Sequence, residues 1–274
     1  MDKAGGGAGI RAQIEAALPD LLQRWKPAAV GVGFGGPLER STGRIALSHQ
    51  IPGWSEFGLV EWLQGLARVP VWAENDANTA AWAEAEQGAG IGFDPVFYVT
   101  LGSGVGGGCV VNGQVYHGTA PGESEIGHLR LDRSGVIVEQ RCSGWAVDAR
   151  IRALQSQGST GPLCQLLPVA HGGEAKYLAQ AVESGDPEAR RILEEIAEDL
   201  AFALSHVCHL FHPQVIVLGG GLSLVGNPFR AAVAQWLPHF LMDVFQPGPE
   251  VKLAALGEDA VPVGCLLGAR TLQS

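Results

Sequence analysis

Residues 70–84 read PVWAENDANTAAWAE, and the change of texture inside this stretch decides the fold class. PVWAEN has the composition of a short strand, whereas DANTAAWAEAEQG repeats alanine at helical spacing. Asp76 falls where the helix should begin and Gly88 where it should stop. Outward from there, AAVGVGFGG predicts a buried strand ending in glycines, and LVEWLQGLARV predicts a helix between the two strands. Strand alternating with helix is the signature of an α/β layer. Upstream, IRAQIEAALPDLLQRW places Ile10, Ile14, Ala17, Leu21 and Trp25 on one helical face, with a kink or split expected at Pro19. The opening MDKAGGGAG reads as linker.

Beyond Asp94-Pro95 the pattern changes. VFYVTLGSGVGGGCVVNGQVYHG predicts two or three strands joined by glycines, with Asn112-Gly113 as a type I′ hairpin turn. A second domain is expected from about residue 93, so that 1–92 with the closing segment 261–274 forms one lobe and 93–260 the other. Helices are expected from about Trp145, over 175–183 and across DPEARRILEEIAEDLAFALSHVCHLFHP. In that last segment Pro187 suits the first helical position after Asp186, and Ile192, Ile196, Leu200, Ala203, Val207 and Leu210 form one apolar stripe. QVIVLGGGLS and VKLAAL then read as strands, FRAAVAQWLPHFL and VPVGCLLGARTL as helices.

The composition narrows the function classes. A chain of 274 residues that is 46% hydrophobic and 17% charged suits a globular protein with buried cores. A net charge of −10 with scattered Lys and Arg argues against a nucleic-acid partner, since phosphate backbones are held by clustered cations. The five cysteines are widely spaced with no C-x-x-C pair, which encodes neither a disulfide framework nor a metal knuckle. No apolar run reaches the length of a membrane span, and the N-terminus lacks a signal-peptide pattern. The expected location is cytoplasmic, with no membrane partner.

Two groups of residues have the makings of a site. TLGSGVGGG follows an apolar strand; its glycines either bring backbone N–H groups to a phosphate or simply turn a hairpin. VLGGGLS is open to the same two readings. The second group is polar: Glu74, Asn75, Asp76 and Asn78 in AENDAN, Glu123, Glu125 and His128 in GESEIGH, and Glu139 in VEQRCSG. Acceptors and amides in loops at strand ends are what a polyhydroxylated ligand requires. Asp76 is best placed for chemistry, because a carboxylate near a helix N-terminus is expected to stay ionised and take a hydroxyl proton. Plain helix capping is the other reading of the same residue.

Taken in order, GVGFGGPLERSTGRI, AENDANTAAWAE, TLGSGVGGG, GESEIGH, VEQRCSGWA and VIVLGGGLS resemble the ROK family of ATP-dependent sugar kinases and sugar-responsive repressors. The resemblance covers about residues 28–270 and implies the actin-like ATPase (ribonuclease H-like) fold, two α/β lobes around a central cleft. It implies a glucokinase-like hexose kinase that uses ATP and Mg²⁺, with Asp76 as the base removing the sugar hydroxyl proton. Gly36, Asn75, Glu125, His128 and Glu139 would contact the hexose. Gly102, Ser103, Gly104 and Gly106 would form a phosphate loop, and Gly219 with Gly220 the adenosine-side turn. Dimerisation is common in that family, and the sequence names no seam for it.

Two departures from the family pattern stand out. The interval LRLDRSGVIV lacks the cysteines of a zinc loop, so no structural zinc is expected and His128 is left free of metal. The D-x-G-G-T phosphate loop that opens family members is missing from the start of this sequence. The first lobe is therefore expected to lack strands at one edge; either the natural start lies upstream and the protein is a complete kinase, or a non-catalytic sugar-binding or regulatory homologue is the alternative function. A repressor would need a helix-turn-helix before residue 28, where none is read.

Overall fold

The computed structural model describes residues 5–48, 51–120, 124–167 and 173–273. The chain runs α1 (Gly6–Trp25), β1 (Val30–Phe34), β2 (Leu38–Glu39), β3 (Arg44–Ile45), α2 (Leu59–Ala67), β4 (Val71–Asn75) and α3 (Asp76–Gln87). Then follow β5 (Val96–Leu101), β6 (Val105–Val111), β7 (Gln114–Val115), α4 (Val138–Cys142), α5 (Gly144–Ser156), α6 (Pro162–Gln165) and α7 (Leu178–Glu183). The last elements are α8 (Pro187–Phe211), β8 (Val215–Gly219), α9 (Asn227–Trp236), β9 (Glu250–Leu253) and α10 (Ala260–Thr271).

The strand-to-helix switch at residues 75 and 76 joins two sheets. β4 pairs in parallel with β1, and α3 lies against the second sheet, whose order is β7-β6-β5-β8-β9. Within that sheet β5, β8 and β9 run parallel, while β6 and β7 are antiparallel additions. Alternation along β5 separates two buried layers. Phe97, Val99 and Leu101 face the large core with α8 and α9, whereas Val96 and Tyr98 face Ala80 and Ala81 of α3 and Ala260 of α10. A third cluster holds Ile10, Leu38, Ile45, Trp54 and Leu63 around the small sheet. Helix α10 returns to β1, where the Cys265 carbonyl lies directly over Gly31.

Several local readings hold. Asp186 caps α8 through Glu188 and Ala189, with Pro187 in the first turn. Asn112 and Gly113 take φ values of 52° and 70°, as a type I′ turn requires. Others are corrected. AGGGAG is no linker from Gly6 onward: these residues form the first turn of α1, where the Gly7 N–H donates to the Pro52 carbonyl at 2.8 Å. Helix α1 passes through Pro19 unbroken, and of its expected apolar face only Ile10 is buried, with Leu21 and Trp25 exposed. Leu210 is likewise exposed at the end of the α8 stripe. The helix expected over 175–183 begins as a 3-10 turn, Glu174–Tyr177. Glu139, expected in a loop, lies in α4.

Cys109, Cys142 and Cys208 are free and buried, and burial pushes their thiols up, Cys109 to about 11 and Cys208 to about 12. Reduced core thiols behave this way. Among the described residues no helix is long and apolar enough to cross a membrane.

Candidate functional site

The N-terminus of α3 is capped by Asn75 rather than Asp76. The Asn75 Oδ1 accepts from the N–H groups of Ala77 at 2.9 Å and Asn78 at 3.1 Å, while its Nδ2 donates to the Gly36 carbonyl at 3.2 Å. One side chain therefore starts the helix and ties down the loop after β1. Gly36 adopts φ 149°, and a Cβ there would meet the Leu47 carbonyl and the Phe34 ring, both at 3.2 Å. Relieved of capping, Asp76 accepts from the Ala77 N–H through Oδ1 at 2.8 Å, and its Oδ2 faces Gly35. Among the described residues Oδ2 has no hydrogen-bond partner.

Burial, which disfavours the charged form, lifts the Asp76 carboxyl above the usual aspartate range. Hydrogen bonds from the Ala77 N–H and its own N–H oppose this, and the charge of Glu125 adds to it. The helix N-terminus was expected to keep this carboxylate readily ionised; desolvation outweighs it.

Glu139, and the turn that carries Glu125 and His128, flank the same strand end from the other face of the sheet. Gly106 and Gly108 of β6 lie on Ala77 and Ala81 of α3, whereas Gly107 lies on the Ser124 carbonyl and Ile126. The opening residues of β6 are thus flanked by α3 on one face and by a 3-10 turn, Ile126–His128, on the other. Glu139 closes the end: its Oε2 accepts from the Val105 N–H at 2.9 Å and sits where a Cβ of Gly104 would be. α4 is held beside the turn by the Val138 N–H to Leu129 carbonyl bond, and to α8 by Arg141 to Asp199 at 2.8 Å. Among the described residues the exposed side chains of Glu125 and His128 have no hydrogen-bond or ion-pair partner. Glu123 lies outside the described residues.

An adjacent cavity of about 400 Å³ is lined among others by Gly102, Ser103, Trp145, Lys176, Gly221 and Leu224, whereas Gly104 and Gly106 of the expected phosphate loop lie against Glu139 and Ala77 instead. Ser103 is exposed at the tip of the β5–β6 turn. The Gly102 carbonyl accepts from the Gly144 N–H at 2.7 Å, and Ser143 caps α5 through Ala146, so the turn is anchored to the segment after Glu139. Gly219 and Gly220 stand behind this wall, against the Tyr98 ring and the Leu101 backbone; the cavity is lined by the next residue, Gly221. The cavity and the polar cluster lie outside the carboxyl ends of the parallel strands β5 and β8, where open α/β sheets bind ligands.

A model of the ROK family matches residues 8–272. The chain belongs to the ROK family. A glucokinase of Halalkalibacterium halodurans is 32% identical over 277 residues, covering 96% of this chain and 84% of the relative. The crystal structure of a ROK family glucokinase from Streptomyces griseus in complex with glucose and AMPPNP superposes with a TM-score of 0.86 at 29% identity, covering 99% of this chain and 90% of that one. The xylose repressor of Caldicellulosiruptor bescii is 22% identical over 254 residues, with 86% of this chain and 61% of the repressor covered. The fold of this ROK protein is the actin-like ATPase fold, with two lobes about a central cleft.

Two residues at this site were not singled out by sequence reasoning: His117, whose Nε2 lies 2.7 Å from Glu74 Oε2, and Trp145, exposed on the cavity rim. A lone histidine after a hairpin carries no periodic signal, and Trp145 was read only as the start of a helix. The contact between Gly104 and Glu139 supports a prediction. In Gly104→Ala the added methyl would displace the Glu139 carboxylate from the Val105 N–H, so amide hydrogen exchange at Val105 should quicken by about tenfold or more, as loss of a charged hydrogen bond implies.

Proposed function

We propose that this ROK protein is an ATP-dependent hexose kinase, in which the polar cluster at the β6 end grips the sugar and the adjoining cavity takes the nucleotide. The observation that carries the reading is Asp76: half-buried, spared from capping by Asn75, and retaining a carboxylate oxygen with no hydrogen-bond partner among the described residues. A base raised above the ordinary aspartate range is better matched to removing a hydroxyl proton than a fully solvated carboxylate. Glu125, His128 and Glu139 supply acceptors and a donor for neighbouring hydroxyls, and Gly36 closes from the first lobe. We take residues 1–92 with 261–274 as that lobe and 93–260 as the other, because α10 packs on β1.

In this reading Asp76 orients one hydroxyl and accepts its proton as the oxygen bonds to the γ-phosphorus of ATP, the bond from that phosphorus to the bridging oxygen breaks and ADP leaves, and the rest is positioning. A cavity of about 400 Å³ walled by Trp145 and Leu224 suits a nucleoside, with the Gly102-Ser103 turn towards its phosphates. Among the described residues no three His, Cys, Asp or Glu side chains converge as a metal site. Mg²⁺ would therefore come with the nucleotide, which is its habit where few carboxylates are offered, and would offset phosphate charge.

The rival reading, a sugar binder without transfer, draws on the relatives that are repressors. Calorimetric titration with glucose and with Mg-ATP separates the two. Heat with both ligands is expected for the kinase; heat with glucose alone favours the rival, and heat with neither removes the sugar site altogether.

A further inference from the structure

Glu74 takes no direct part in the chemistry proposed above, yet three separate segments of the chain meet on its carboxylate. Oε1 accepts from the Asn75 N–H at 2.9 Å and the Asn78 Nδ2 at 3.4 Å, which binds it to the first turn of α3. Oε2 lies 2.7 Å from His117 Nε2 and 3.6 Å from Arg40 Nε. Arg40 stands at the tip of the β2–β3 hairpin, four residues after Gly36. His117 follows β7, eight residues before Glu125.

A carboxylate whose side chain is only 5% exposed, paired with a histidine at 12%, is a poor way to gain stability. Desolvating the charges costs several kcal/mol, and an apolar pair of the same volume commonly serves as well. What an ion pair adds is a fixed direction and register. Burial alone would raise the Glu74 carboxyl, but the hydrogen bonds from His117 and the Asn75 N–H, with the attraction of His117, hold it below its ordinary value. The contact is therefore matched to an ionised carboxylate.

We propose that Glu74 is a positioning residue, a buried carboxylate that latches the hairpin following Gly36 and the His117 segment to the first turn of α3 and so sets the spacing of the hexose-gripping groups around Asp76. The inference rests on the sugar-site reading for its purpose, though the latch itself is a statement about the free protein. Arg40, on a flexible and half-exposed side chain, is its weaker arm and His117 the stronger.

The test compares the full chain with Glu74→Gln, His117→Phe and His117→Gln, the last keeping an N–H donor towards Glu74. Amide hydrogen exchange over 35–45 and 114–118 should quicken by about tenfold or more in Glu74→Gln and His117→Phe, and stay within about threefold of the parent in His117→Gln. The glucose dissociation constant should rise about tenfold in the first two and be restored in the third. Unchanged exchange in His117→Phe, or equal effects of Phe and Gln, would overturn the latch. If Glu74→Gln fails to fold, the two His117 variants decide alone. If the parent gives no heat with any hexose, the sugar reading is lost while exchange still judges the latch.

Discussion

Asp76→Asn is expected to lower hexose-dependent ADP release by about 10²–10⁴-fold, the usual worth of a positioned general base, while glucose affinity changes by less than about threefold. The substitution is nearly isosteric and keeps Oδ1 as acceptor for the Ala77 N–H, so the turn at 75–78 has no reason to move. Capping is left to Asn75. On the kinase reading, what disappears is the group proposed to take the proton. A pH profile of sugar phosphorylation should fall on the acid side with a midpoint above the ordinary aspartate value, since burial lifts the Asp76 carboxyl and only its deprotonated form accepts.

The same shift has a stability consequence with a definite sign. An acid whose native pKa lies above its unfolded one stabilises the fold while protonated, and that contribution is lost as pH rises through the native value. Above its native pKa the ionised Asp76 is thus a burden on the fold, and thermal unfolding of Asp76→Asn followed across pH should show a Tm that rises relative to the parent as the pH passes through that value. If Asp76 were only a capping residue, the variant would instead melt lower and turn over normally.

Glu84→Ala is expected to be strongly destabilising. Glu84 is fully buried on the last turns of α3, and its carboxylate accepts three backbone N–H groups: Ala89 at 2.8 Å, Ala255 at 3.0 Å and Leu256 at 2.8 Å. Residues 255 and 256 follow β9, so one side chain joins the end of α3 to the segment that leads into α10. Alanine leaves three donors without their carboxylate acceptor at a part-buried junction, at about 1–3 kcal/mol each before water replaces it. Even with partial rehydration, a loss of about 3 kcal/mol and a Tm lower by roughly 6–12 °C are expected in a chain of this size. Glu84→Gln, which keeps an acceptor oxygen but turns an NH₂ towards amide donors, should fall between. A Tm within 2 °C of the parent for the alanine variant would contradict this account of how α3 is held.

Much of this architecture is legible in the sequence because it is local. The switch at Asn75-Asp76, the Asn112-Gly113 turn and the Asp186-Pro187 helix start each depend on a few neighbouring residues. The candidate site shows in the order of its motifs, and the fold sets Asp76 and Glu139 at one end of β6 beside the turn that carries Glu125 and His128. What was not legible depends on partners far along the chain. The opening glycines looked like linker because nothing nearby shows that Gly7 bonds to Pro52. Glu139 looked like a loop charge because α4 is one short turn stabilised by α8. Asp76 was read as readily ionised because the helix N-terminus is local and desolvation is not. Glu84 did leave a trace: it shares the helical face of Ala77, Ala80 and Ala81, and a charge on a buried stripe signals a polar contact.

A crystal structure of this protein grown with glucose would show which side chains meet a bound sugar. One sugar is expected at the β6 end, with a hydroxyl in hydrogen-bond reach of Asp76 Oδ2 and neighbouring hydroxyls held by Glu125, His128 and Glu139. Glucose bound elsewhere, or left unbound at saturating concentration with those four groups facing only solvent, would contradict that expectation.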